Sequence, residues 1–201
     1  ERNGGVCMRR FEYGQIQSLS WNMDILSRIG GIYRANGKEE VLLSQSPAIL
    51  DSLVELAKIQ STEASNAIEG IVMTSTRLRQ LVADKTTPRN RDEQEIMGYR
   101  DALNVIHESY DSISLSRNYI LQLHKILYNY QFNARGGQLK SVQNYISATY
   151  PDGRTEILFT PLAPYETAGA LDQICAEYNR VVGNGEVEPL LAIPIFIHDF
   201  L

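Results

Sequence analysis

Three histidines, two cysteines and one Gly-Asn-Gly run are the residues of this chain whose types could do acid–base, nucleophilic or phosphate chemistry. His107 and His124 fall within helical patterns and read as structural or surface side chains, and His198, between Ile197 and Phe200, reads as a core or helix-packing residue. Cys7 and Cys175 are far apart, a usage that fits neither a disulfide framework nor a metal site, so no metal ligand is assigned and a reducing compartment is expected. Gly183-Asn184-Gly185 reads as a helix-ending loop. The sharper spacing is Ser65-Asn66-Ala67-Ile68-Glu69-Gly70. Ser65 and Glu69 are one helical turn apart on the same face, directly before a glycine that tolerates positive φ and stops a helix.

Elements must position these residues. From Ile16, the apolar residues Leu19, Met23, Leu26, Ile29 and Tyr33 recur at helical steps and predict an amphipathic helix weakened near its end by Gly30-Gly31. A second helix begins at Ser46-Pro47, a hydroxyl cap before a proline that suits the first helical position, and carries Ile49, Leu53, Leu56 and Ile59. Helical composition then persists from Thr62 to Gly70, and a short helix follows Ser75. Asp92-Glu93-Gln94-Glu95 puts acid at the positive end of the next helix, whose stripe is Ile96, Tyr99, Leu103, Ile106 and Tyr110. Another opens near Ser116 and turns Ile120, Leu123 and Leu127 inward.

Between Gly136 and Pro164 the texture changes, with strand-prone residues on either side of the turn Pro151-Asp152-Gly153 predicting one β-hairpin near residues 138–160. Leu171, Ile174, Tyr178 and Val181 restore the helical period. The apolar run Leu190 to Leu201 is expected to be a buried helix, with Pro194 kinking it or near its start. The fold class is therefore mainly α with one β-hairpin. A lone hairpin is marginally stable, so it must dock on the helices or contact something else.

Composition narrows the function classes. With 201 residues, 43% apolar, 21% charged and a net charge of -5, the chain has ordinary globular usage and is not disordered, collagen-like or fibrous. A pI near 5.3 argues against nucleic acid as the main partner. No apolar run reaches the roughly 18 to 20 residues that cross a bilayer, and Glu1 to Gly5 lack a signal-peptide stretch, so no membrane is expected and the compartment reads as cytoplasmic. The missing initiator Met suggests a piece of something longer.

Three stretches, in this order, carry a family resemblance. Ser65-Asn66-Ala67-Ile68-Glu69-Gly70 fits a pattern of Ser or Thr, three residues, Glu, then Gly or Asn. Gln138-Leu139-Lys140-Ser141-Val142-Gln143-Asn144-Tyr145-Ile146, running to Phe159-Thr160-Pro161-Leu162, is similar to a flap hairpin and its exit. Phe196-Ile197-His198-Asp199-Phe200-Leu201 is similar to a helix that leads into an active-site loop. With Tyr99-Arg100-Asp101-Ala102-Leu103 and Leu123-His124-Lys125-Ile126-Leu127 also in place, the chain from about Leu50 onward resembles the Fic family, named for filamentation induced by cyclic AMP.

The resemblance implies a helical Fic-like bundle with one flap: an N-terminal helical segment at 1–50 and a Fic-like domain at 51–201 that is incomplete at its C-terminus. It implies a protein adenylyltransferase (AMPylation), a nucleotidyltransferase that moves AMP from ATP, bound with Mg, to a hydroxyl of a target protein. Glu69 would then pair with the last arginine of the family's catalytic motif and hold it away from the γ-phosphate, an autoinhibition in which Ser65 fixes the helix or touches phosphate and Gly70 ends it. Gln143, Asn144, Tyr145, Ile146, Ser147, Ala148 and Thr149 would form the target-binding edge, pairing with an extended target segment through main-chain hydrogen bonds. The hydroxyl-rich run Tyr145 to Tyr150 could itself accept AMP.

One departure matters. The family's motif, His-Pro-Phe-x-x-Gly-Asn-Gly-Arg-x-x-Arg or a close variant, is not in these residues. Glu186 follows Gly183-Asn184-Gly185 where the motif has arginine, and Asp199 follows His198 where it has proline. No catalytic residue is assigned, the chain is expected to stop just before the motif, and it is expected to be inactive alone. A second reading stays open: a non-catalytic helical regulatory or interaction module that supplies an inhibitory helix in trans. The flap and the approach helix favour the first. The apolar helix around Trp21 suits a homo-oligomer interface as well as a core.

Overall fold

Asn22, not Ile16, begins the first long helix. The computed structural model describes residues 11–45, 47–83, 86–132 and 135–201. It places a 3-10 turn at Tyr13–Ser18 and then α1 at Met23–Gln45. The Asn22 side chain accepts from the Ile25 N–H at 2.9 Å and its carbonyl from the Leu26 N–H at 3.2 Å, so the helix starts at a good cap and not at the first apolar residue of the stripe. Gly30-Gly31 does not end it, because two glycines cost about 2 kcal/mol at most in a helix this long. The stripe itself is uncovered: Leu19, Met23, Leu26 and Tyr33 are all exposed.

The helix α2 occupies Pro47–Ile68, while its expected cap Ser46 lies outside the described residues. It stops as anticipated at Gly70, whose φ of 82° only glycine adopts without strain, with Ile71 N–H donating back to the Asn66 carbonyl at 2.9 Å. Then come α3 (Ser75–Val82), α4 (Arg91–Ser109) and α5 (Arg117–Leu127), followed beyond the hairpin by α6 (Pro164–Gly183) and α7 (Pro189–Phe200). Local chemistry sets these starts. Asn90 Oδ1 accepts from Glu93 N–H at 2.9 Å, and Ser116 Oγ from Tyr119 N–H at 3.3 Å. Both α6 and α7 open on proline.

The hairpin is shorter than the sequence suggests, with β1 at Ile146–Thr149 and β2 at Thr155–Phe159, antiparallel and irregular between Ile146 and Ser147. Its turn is the expected one: Tyr150 N–H donates to the Arg154 carbonyl at 2.9 Å and Gly153 N–H to the Tyr150 carbonyl at 2.9 Å. Before β1, side-chain bonds replace the ladder. Lys140 Nζ donates to Asn144 Oδ1 at 2.9 Å and Gln143 Nε2 to the Pro161 carbonyl at 2.9 Å, which leaves that stretch irregular. The described chain is thus mainly helical with one two-stranded hairpin.

Two compact units divide the chain. One comprises the described residues as far as Leu19 with Leu115–Ile120 and Gln138–Leu201; the other comprises Ser20–Ser114 and Leu121–Gly137. In the first, Tyr13 and Ile16 of the 3-10 turn are buried, as are Leu171, Ile174, Cys175 and Val181 of α6 and Ala192 and Phe196 of α7. Phe196 meets the Tyr178 ring edge-on at 5.6 Å. The expectation of a buried α7 is corrected here, because only Ala192 and Phe196 are buried while Ile193, Ile197 and Phe200 are exposed. A helix apolar on every side has been packed on one, and Pro194 lies inside it.

The second unit is built on Leu78, Leu81, Val82, Ile96 and Met97, with Ile59, Ile71, Met73 and Tyr130 packed around them. Two ion pairs brace it. Arg100, nearly buried, donates to the Leu81 carbonyl at 2.7 Å and pairs with Asp101 at 2.6 Å. Arg77 holds Glu93 through Nε at 2.8 Å and Nη2 at 2.7 Å, and Arg89 N–H adds a third bond at 2.7 Å.

The Arg77 guanidinium keeps the Glu93 carboxyl down at about 2, against an ordinary value of 4.5. A carboxyl depressed in the folded state contributes stability that is complete above its unfolded value and is lost as pH falls through the folded one. The urea midpoint should therefore fall as pH drops from about 5 toward about 2, and Glu93→Gln should flatten that slope while lowering the midpoint at neutral pH. A slope unchanged in Glu93→Gln would assign the acid sensitivity to other carboxylates.

Candidate functional site

The end of α2 gathers the motif Ser65 to Gly70. Its polar residues divide between two adjacent faces. Thr62 and Asn66 are buried yet self-satisfied, since Thr62 Oγ1 donates to the Lys58 carbonyl at 2.7 Å and Asn66 Nδ2 to the Thr62 carbonyl at 2.8 Å. Burying them leaves no polar atom demanding an outside partner. Ser61, Ser65 and Glu69 recur at i, i+4 and so form a second line. Ser65 is half-buried, and its Oγ lies 2.8 Å from the Tyr99 hydroxyl, which also reaches Ser61 Oγ at 3.2 Å. Glu69 comes one turn later, exposed, just beyond the last helical residue, and makes no ion pair with any described residue. The structure therefore brings Ser65, Glu69 and Gly70 to one helix end and presents a carboxylate there.

The flap residues belong to the other unit. Ile146, Ser147, Ala148 and Thr149 make up β1, while Gln143, Asn144 and Tyr145 precede it outside the ladder. β1 and β2 pair only with each other among the described residues. Apart from half-buried Ala148 every strand residue is exposed, Ile146, Ile157, Leu158 and Phe159 included. An exposed apolar strand pair with open edges offers both backbone groups and side-chain contacts to an extended chain. Thr149 Oγ1 lies 3.3 Å from Thr155 Oγ1, and Tyr150 donates to Glu156 at 3.0 Å.

The remaining chemistry-bearing residues find structural places. His124 accepts Gly137 N–H on Nδ1 at 3.0 Å and meets Tyr128 edge-on at 4.9 Å, so it fastens the chain after α5. His107 is exposed. His198 is exposed as well, which corrects its expected core role, because α7 turns it away from buried Phe196. Gly183-Asn184-Gly185 ends α6: Glu186 N–H donates to the Val181 carbonyl at 2.8 Å, and its carboxylate pairs with Arg180 at 2.7 Å. Cys175 is a buried thiol whose pKa is raised by burial, while Cys7 lies outside the described residues.

Sequence reasoning places Tyr99 on the apolar stripe of α4 and misses its bonds to both serines. The signal is there in the i, i+4 spacing of Ser61 and Ser65, but the tyrosine that answers it lies 34 positions from Ser65. No protein-family model matches this chain, and no curated protein matches it closely enough to count as a relative. No described helix is long and apolar enough to cross a membrane.

Proposed function

We propose that this chain is the self-inhibiting and target-binding part of a Fic-type protein adenylyltransferase, working with a catalytic string that these residues do not contain. The observation that carries the reading is the end of α2, where an exposed Glu69 with no described ion-pair partner follows Ser65 by four residues, directly before a glycine at positive φ that ends the helix. In this reading Glu69 takes the last arginine of the string in a charge-assisted pair, so that nucleotide binds without its productive pose. The hairpin edge holds an extended target segment by main-chain hydrogen bonds.

In the transfer itself, the target hydroxyl oxygen attacks the α-phosphorus of ATP, the bond from that phosphorus to the oxygen bridging toward the β-phosphate breaks, and pyrophosphate leaves. The hydroxyl proton passes to the string's histidine as general base. Among the described residues no group of three or more His, Cys, Asp or Glu stands together as metal ligands, and in this reading Mg comes with the nucleotide phosphates. A cytoplasmic, reducing setting accompanies this reading, in keeping with the free thiol of Cys175.

ATP labelled on the α-phosphate tests it. The chain alone should transfer no label above a heat-killed control, because base, phosphate turn and arginine are absent and such groups contribute orders of magnitude in rate. A protein that continues past Leu201 through His-Pro-Phe…Gly-Asn-Gly-Arg should label itself or a target and release pyrophosphate. Unrelated sequence after Leu201, together with inhibition of a separate Fic-type enzyme by the added chain, would replace this reading with a regulatory module acting in trans.

A further inference from the structure

One phenol spans two successive turns of the helix that carries Glu69. Tyr99 Oη lies 2.8 Å from Ser65 Oγ and 3.2 Å from Ser61 Oγ, and the three hydroxyls form a short chain between α2 and α4. Ser61 and Ser65 stand on one i, i+4 line of α2 and are both tied to α4, and Glu69, the next position of that spacing, follows in the turn just past the helix and is exposed. The neighbouring polar face of α2 adds no such tie, because the side chains of Thr62 and Asn66 bond within their own helix. A helix held by apolar packing alone can roll, and a roll by one residue moves a side chain by about 100° around the axis. Two hydroxyl contacts one turn apart resist that roll, since both break together when the helix rotates.

We propose that Tyr99 is a positioning residue for the Glu69 carboxylate: its two hydrogen bonds, to Ser61 and Ser65, fix the rotation of α2 and thereby the direction in which Glu69 is presented to a cationic partner. The inference rests on the reading of Glu69 as the inhibitory residue and adds the device that aims it. Tyr99 touches no nucleotide in this account and acts only through α2. Its ring remains in Tyr99→Phe, so that variant removes the hydroxyl and little else.

Hydrogen exchange tests the latch without reference to catalysis. In Tyr99→Phe the amides of Glu69, Gly70 and Ile71, which donate to the carbonyls of Asn66 and Ala67, should exchange about tenfold faster, while amides at the centre of α4 keep their wild-type rates. Unchanged exchange at those three amides overturns the proposal. The functional arm uses the protein that includes the catalytic string. There Tyr99→Phe should raise AMP labelling about threefold to tenfold, and should add nothing in a Glu69→Gly background, because a residue that acts by aiming Glu69 has no effect once Glu69 is gone. An equal rise in both backgrounds overturns it by placing Tyr99 elsewhere in the reaction. If Glu69→Gly itself leaves labelling unchanged, the inhibitory reading fails and the aiming role falls with it, whatever the exchange rates show.

Discussion

Gly98→Ala should destabilise the protein by at least about 3 kcal/mol, the largest effect we expect from adding a single methyl group. A β-carbon at Gly98 would collide with the carbonyl oxygen of Leu127 and lie 2.7 Å from its carbonyl carbon. Those are backbone atoms at the end of α5, and backbone cannot rotate away as a side-chain tip can. Relief requires α4 and the end of α5 to separate, which pulls on the cluster around Ile96 and Met97 in the same turn. Urea denaturation of wild type and variant measures it. Gly31→Ala is the matched control: nothing lies within 4 Å of a β-carbon there, the residue is exposed in α1, and alanine should stabilise by about 0.5 to 1 kcal/mol. If both substitutions behave alike, the close crossing at Gly98 is wrong.

In a protein that includes the catalytic string, Glu69→Gly should raise AMP labelling about 10- to 100-fold. A charge-assisted hydrogen-bonded pair contributes about 1.5 to 3 kcal/mol, and each 1.4 kcal/mol or so removed from the competing arrangement is worth a factor of ten in rate. The structure makes the substitution cleaner than the sequence alone promises. Glu69 lies past the last residue of α2 and is exposed, so its loss should cost stability no more than about 0.5 kcal/mol and the fold should be retained. In the present chain that small loss is the whole expected effect. Equal labelling by wild type and variant would reduce Ser65 to Gly70 to an ordinary helix end.

What the sequence makes legible is what neighbouring residues decide among themselves. Pro47 opens α2, Gly70 stops it, and Pro151-Asp152-Gly153 turns the hairpin, because each effect is settled within a few bonds of the backbone. Ser65 and Glu69 on one face follow from helical spacing in the same way. Partners distant in the chain are not legible. Glu93 reads in the sequence only as an acid favouring a helix start, yet it is clasped by an arginine 16 positions away. Gly98 carries no signal of its own within the pattern of α4, and it is the place where Leu127 must fit. Apolar periodicity foretells which residues of α1 share a face and apolar composition foretells burial of α7, but coverage depends on what else arrives there. Leu26 and Ile197 remain about half exposed for that reason, at 47% and 45%.

The hairpin carries a consequence in time. Its cross-strand pairs, from Ile146 with Phe159 inward to Thr149 with Thr155, join near neighbours in the chain around a turn that closes on itself. Such an arm forms in about 1 to 10 microseconds and is not slowed by any distant contact. With its strands so largely in solvent, an arm of this kind forms faster than an approaching chain diffuses to it. Capture by this edge would therefore be limited by encounter and by the ordering of the incoming segment, with the arm itself always ready first.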